Sequence, residues 1–358
     1  MRLLFRLLCV YFLLAFVFTS CTKSGMGSAG DYSAKIADAG GAAVGGGGNQ
    51  TPGVLTAGEW NDLDNWDFWK TLMANDTFKN FQLHWNFYAN EKWAFTIKDA
   101  NQQPVPDATV TIQSGNYTLW QGKSNRFGIL QILPGMFSPI APTGMQYTVA
   151  YNNQSYASGS LNYAEKNINV GLPININAAT TVDIMFVVDA TGSMMDEINY
   201  LKTELLDVFN RADNQVAGTM RYAAVFYRDF GDDYITRIND FTTTKSTVVD
   251  FVKNQNAGGG GDFPEAVEEA MKAAVQQNWS TSARARILFL ILDAPPHATA
   301  KEKMFQLIQK AAAKGIRIVP IVCSGADKNT EFLMRSIALA TNGTYLFLTN
   351  ESGVGGDH

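Results

Sequence analysis

The chain has 358 residues, a formal net charge of −5 and three cysteines. Its 28 Lys and Arg residues form no cluster, which argues against nucleic-acid binding, because that activity needs basic patches. The length allows two or three domains.

Arg2 and Arg6 flank an apolar core from Leu3 to Phe18. That core is short for a membrane span and suits an export signal over residues 1–20. It closes with Phe18-Thr19-Ser20-Cys21. Small residues directly before a cysteine resemble the bacterial lipobox. The resemblance implies a lipid on Cys21 and a lipoprotein of the bacterial cell envelope, held at the outer membrane or on a periplasm-facing membrane. With Cys9 in the leader and Cys21 acylated, Cys323 has no cysteine left for an intrachain disulfide.

Residues 21–52 are rich in Gly, Ala, Ser and Asn, with Gly45 to Gly48 consecutive. Such a segment buries no core and reads as a flexible tether, reaching roughly 30 Å as a random coil. Residues 53–91 are aromatic-rich and predict helix. Asp62 and Asp64 are placed to cap a helix from about Asn65. Trp66, Trp69 and Met73 recur at helical spacing, with Lys70 the polar exception. The stripe either packs on the next domain or stacks sugars, and stripes at this spacing are usually core.

From residue 92 to 175 the period changes to two. Ala94–Ile97, Thr109–Ile112, Ile129–Ile132, Tyr147–Ala150 and Ile168–Val170 predict short strands, with a proline-containing loop from Asn101 to Ala108. Short turn-bounded strands indicate a small β-sandwich. Val105–Val110 and Ser124–Gly128 resemble the carboxypeptidase-regulatory-like and Ig-like spacer domains, which implies an all-β Ig-like sandwich without chemistry of its own.

Residues 180–350 alternate strand and helix. Val182–Val188, Met220–Tyr227, Ile235–Phe241, Arg286–Leu292, Arg317–Val322 and Thr344–Leu348 predict strands. Met195–Arg211, Thr247–Asn254, Pro264–Gln277, Lys301–Lys314 and Asn329–Ala340 predict helices. Runs such as Ile287–Leu292 are apolar on both faces, as in a parallel sheet covered by helices. The expectation is a multidomain chain, ending in a doubly wound, Rossmann-like α/β domain with its ligand site beyond the C-terminal strand ends.

Those ends carry the chemistry. Asp189, Thr191 and Ser193 follow the first strand, and Arg228, Asp229, Asp232 and Asp233 follow the second. Gly258–Gly261 leads into Asp262-Phe263-Pro264-Glu265, and Asp293-Ala294-Pro295-Pro296-His297 follows the fourth strand. This order resembles the von Willebrand factor type A (vWA) domain and its metal-ion-dependent adhesion site. Asp189-Ala190-Thr191-Gly192-Ser193 matches the family's Asp-x-Ser/Thr-x-Ser motif, and Asp293 its later acid. The Tyr227-Arg228-Asp229 and Asp-Ala-Pro-Pro-His segments look like a branch found in bacterial surface proteins and beside some α-kinases, although no kinase sequence is present.

The resemblance implies Mg²⁺ held by Asp189, Thr191, Ser193 and Asp293. Asp229, Asp232 and Asp233 read as solvated acids of a charged loop, with support of the metal ligands as the other reading of Asp229. It also implies a protein or glycan ligand that completes the metal's shell with a carboxylate. The family's neutral Thr in the glycine loop is absent, and Asp262 is the nearest substitute. As a ligand, Asp262 would suit Ca²⁺ or Mn²⁺ as well and would weaken the attraction for an acidic partner. Its other reading is an Asp-x-x-Glu capping box, and one residue can do both. Asp196 and Glu197 fall in a first helical turn, where acids complement the dipole. His297 reads as a loop residue, since no second His stands at metal spacing.

Two further functional readings fit parts of the sequence. One is a metal-independent scaffold subunit of an envelope complex. The other is an Mg²⁺-dependent phosphohydrolase with Asp189 as nucleophile, because Asp189–Ser193 also resembles the haloacid-dehalogenase-like phosphotransferase motif. That family's Gly-Asp-x-x-x-Asp motif is missing. The chain therefore reads as a membrane-anchored binding protein and not as an enzyme.

Overall fold

The structure, a computed structural model, describes residues 57–177 and 179–348. The segments read from sequence as an export leader and a tether, with Cys21, lie outside them, as do residues 349–358. Among the described residues no helix is long and apolar enough to cross a membrane.

The aromatic-rich segment begins with a strand, β1 (Ala57–Trp60), and continues as helices α1 (Trp66–Ala74) and α2 (Asp76–Trp85). Asn75 caps α2 by accepting from the Thr77 amide. Asn65 stands at the start of α1 without a side-chain cap. The expected capping role of Asp62 does not hold. Asp62 is buried and accepts from the Arg335 guanidinium instead, because that cation offers a desolvated carboxylate more than one amide does.

Seven strands follow: β2 (Trp93–Lys98), β3 (Thr109–Ser114), β4 (Tyr117–Lys123), β5 (Ile129–Ile132), β6 (Met145–Tyr151), β7 (Gln154–Ser160) and β8 (Asn167–Gly171). They form two sheets, ordered β5-β2-β8 and β4-β3-β6-β7. Alternate residues Trp93, Phe95 and Ile97 of β2 point inward, as do Val110 and Ile112 of β3. Asn152 and Asn153 hold positive φ of 49° and 64°, the twist a tight β6–β7 hairpin requires.

The C-terminal half contains β9 (Val182–Asp189), α3 (Met195–Gln215), β10 (Met220–Tyr227), β11 (Thr236–Thr242), α4 (Lys245–Lys253) and α5 (Val267–Gln276). It continues with β12 (Ala285–Leu292), α6 (Lys301–Lys314), β13 (Ile316–Val322), α7 (Lys328–Thr341) and β14 (Tyr345–Leu348). The sheet order is β1-β14-β13-β12-β9-β10-β11. The five inner strands run parallel and the two edges antiparallel. Every residue of β9 is buried, as a central strand covered on both faces must be.

The sequence places the aromatic segment, the β unit and the α/β half apart; the structure packs them on one core. Strand β1 completes the sheet of the C-terminal half. Trp69 stacks on Phe332 of α7, and the Trp85 indole donates to Asn329. The aromatic stripe is therefore packing. Phe87 meets Phe305 of α6 at 5.0 Å, and Arg286 donates two hydrogen bonds to Asp107 of the β unit.

Candidate functional site

The strand order reverses at β9, with β10 on one side and β12 on the other. A crevice opens beyond the strand ends at such a point. Asp189 ends β9, and Asp293 lies just past the end of the neighbouring β12. Asp189 is fully buried and Asp293 nearly so.

The chain turns sharply after Asp189. Its Oδ1 accepts from the Thr191 amide at 2.9 Å and the Thr191 hydroxyl at 2.8 Å. Its Oδ2 is buried and has no hydrogen-bond partner. Tyr227 is paired with Asp189 across the β9–β10 ladder, and its buried hydroxyl lies against the same carboxyl. Ser193 is exposed at the start of the next turn, and its hydroxyl interacts with Asp293. The structure thus brings Asp189, Thr191, Ser193 and Asp293 to one place at the strand ends.

The glycine loop crosses this group. The Gly258 amide donates to Ala190 O, and the Gly192 amide to Gly259 O. Gly260 sits at φ +71°, and a Cβ there would lie 2.8 Å from Glu265 Oε1 and 3.1 Å from Thr191 Cβ. The loop therefore passes close only because it lacks side chains.

Asp262 is exposed on this loop. It does not start a capping box: α5 begins at Val267 with Ala266 at its N-cap and no side-chain cap. The bonding of Glu265 explains why. Its amide donates to Pro295 O, and the residue bridges to Pro296, which holds Glu265 outside the helix. The same bridge pins Glu265 to the segment that carries Asp293. Glu265 is buried, and its Oε2 has no hydrogen-bond partner.

Asp229 is also buried and flanks the site. Asp232 accepts from the amides of Asp229 and Gly260, tying the β10 loop to the glycine loop. Arg228 holds Ala190 O and Asn256 O, so its charge braces the backbone. His297 stands between two acids, 3.5 Å from Asp229 Oδ1 and 3.4 Å from Glu268 Oε1.

Burial pushes the Asp189 carboxyl up to about 7, and Asp293 raises it further. Burial also pushes Glu197, in the first turn of α3, to about 7. Glu265 rises to about 9 through burial and the charges of Asp189, Asp229, Asp232 and Asp293. Each acid is costly to ionise because its neighbours are acids and water is excluded. A cation would relieve all of them, so the residues present fit a divalent ion. Among the described residues no three His, Cys, Asp or Glu side chains converge tightly enough to hold an ion alone. Two carboxylates, two hydroxyls and water make the matching set, which suits Mg²⁺.

A doubly wound α/β domain with its polar residues gathered at the switch point is the class this half defines. Residues 183–354 match the von Willebrand factor A domain family, and the C-terminal half of the chain is a vWA domain. It is similar to an alpha-protein kinase of Dictyostelium discoideum, 29% identical over 171 residues, or 47% of this chain and 27% of that protein. It is also similar to an ariadne-like RING finger protein of Acanthamoeba polyphaga mimivirus, 27% identical over 196 residues, or 48% of this chain and 19% of that one. The chain thus spans well under a third of either relative.

Sequence reasoning missed Glu265 as part of the site and treated it as half of a helix cap. The sequence carries no local signal for it, because the predicted helix begins at Pro264 and places Glu265 within the first turn.

Proposed function

We propose that this is a lipid-anchored envelope protein whose vWA domain binds a partner through a divalent cation, Mg²⁺ or in its place Ca²⁺ or Mn²⁺. Asp189, Thr191, Ser193 and Asp293 hold the ion, and Glu265 and Asp229 add negative charge around it. The observation that carries this is the buried Asp189 carboxyl beside a second buried acid, with its Oδ2 facing no donor but the nearby Tyr227 hydroxyl, which stands outside hydrogen-bond geometry. A vWA domain points to an adhesion or protein-interaction role. The matched segment occurs with a kinase in one relative and a RING finger in the other, which fits a binding module more than a catalytic one. Cys21 carries the anchor, and residues 21–52 form the tether. The two-sheet unit is an Ig-like or carboxypeptidase-regulatory-like spacer braced against the vWA domain.

The test is a thermal shift with Mg²⁺. At about a hundred times its Kd the ion should stabilise the protein by about 2.7 kcal/mol. Asp189→Asn should abolish that gain. An equal gain in both proteins would place the ion elsewhere, and no gain in the wild type would refute the cation reading.

A further inference from the structure

Four segments carry the site, and three of them expose one large apolar side chain beside their polar residues: the start of α3, the loop after β10 and the glycine loop. Met195 is 56% exposed, just after Ser193 and Met194. Phe230 is 50% exposed, directly after Asp229, with its ring 5.4 Å from that of His297. Phe263 is 45% exposed, directly after Asp262. Exposed apolar side chains singly are ordinary; here they stand beside the charged residues of one site.

The charge of that surface is one-sided. Asp189, Glu197, Glu265 and Asp293 lie beneath it, with Oε2 of Glu197 and of Glu265 buried and without hydrogen-bond partners. Asp229, Asp232, Asp233 and Asp262 surround it. Arg228 is engaged with backbone carbonyls and with Asp233. One dication leaves this cluster negative when the acids are ionised, and a partner carboxylate would meet net repulsion. Exposed aromatic faces beside carboxylates favour a cationic side chain, which gains both charge pairing and ring contact.

We propose that the partner presents a lysine or arginine with apolar neighbours to this rim, rather than a carboxylate to the ion. The basic head faces Asp233 and Asp262, its stem lies between Phe230 and Phe263, and Met195 covers the third side. This rests on the reading of the site as a partner-binding surface, and it reverses the acidic ligand that the family resemblance implies.

The experiment pans a random heptapeptide library on phage against the full chain, with Mg²⁺ and again with EDTA. Enrichment of Lys or Arg beside apolar residues is the expected result. A peptide so selected should bind the F230A/F263A double variant about five- to thirtyfold more weakly. Both rings are exposed, so this variant keeps its fold, and circular dichroism checks that. Enrichment of Asp or Glu overturns the proposal, as does no enrichment or unchanged binding by the double variant. Calorimetric titration with Mg²⁺ alone separates the two readings. If a saturable heat of either sign appears while acidic peptides are selected, this inference fails alone; if none appears and Mg²⁺ also gives no thermal shift, the cation reading fails.

Discussion

Asp62→Ala should destabilise the protein by about 3–5 kcal/mol, the cost of leaving a buried charge without its partner. Arg335 and Asp62 are both buried. The guanidinium donates from Nε at 2.9 Å and from Nη2 at 2.5 Å to the two carboxylate oxygens. The only other anion paired with Arg335 among the described residues is Glu331, one helical turn away and half-exposed. Glu331→Ala should therefore cost no more than about 1 kcal/mol. Asp62→Asn with Arg335→Met removes both charges and should recover most of the loss. Urea unfolding of the four proteins measures this. If Asp62→Ala lies within about 1 kcal/mol of wild type, the aromatic segment does not anchor α7 through this pair.

The second large effect is a dependence on pH that appears only without metal. The Asp189 carboxyl sits at about 7 in the folded protein against an ordinary value of 3.8. The folded state thus takes this proton more readily than the unfolded state does. Its contribution is fully present below about pH 4 and is lost as pH rises through 7. That difference in proton affinity is worth about 4 kcal/mol. In EDTA, wild type should lose about that much relative to Asp189→Asn between pH 4 and pH 8. Glu197 is raised in the same direction and is common to both proteins, whereas Glu265 is raised partly by the Asp189 charge, so the difference reports Asp189 together with its coupling to Glu265. Saturating Mg²⁺ favours the ionised carboxylate and should remove or invert the difference. Parallel profiles in EDTA would show that Asp189 ionises freely in the fold.

The strands and helices of the α/β half were legible because each is long, periodic and bounded by turn residues. The six predicted strands and five predicted helices all occur, within a few residues at their ends. In the β unit, β4 and β7 escaped prediction. Strand β7 reads Gln-Ser-Tyr-Ala-Ser-Gly-Ser, an edge strand with almost no apolar side chain to set a period. Strand β1 escaped because its partner β14 lies almost three hundred residues away, and only that pairing makes four residues a strand.

In the site, Asp189, Thr191, Ser193 and Asp293 were legible because strand ends and a short motif place them. Glu265 was not. Local spacing puts it in a helix cap, while the bridge to Pro296, thirty-one residues on, turns its carboxyl inward. The division of the chain into separate units failed for a similar reason. Trp69, Phe87 and Arg286 find their partners on elements far away in sequence.

The most direct test is a crystal of the protein soaked in Mn²⁺ and measured at the manganese absorption edge. An anomalous peak is expected at the β9–β12 switch point, within about 2.0–2.5 Å of the Ser193 and Thr191 hydroxyls and bounded by Asp189 and Asp293. A peak confined to the exposed acids Asp233 and Asp262, or no peak between Asp189 and Asp293, would contradict a cation held at this site.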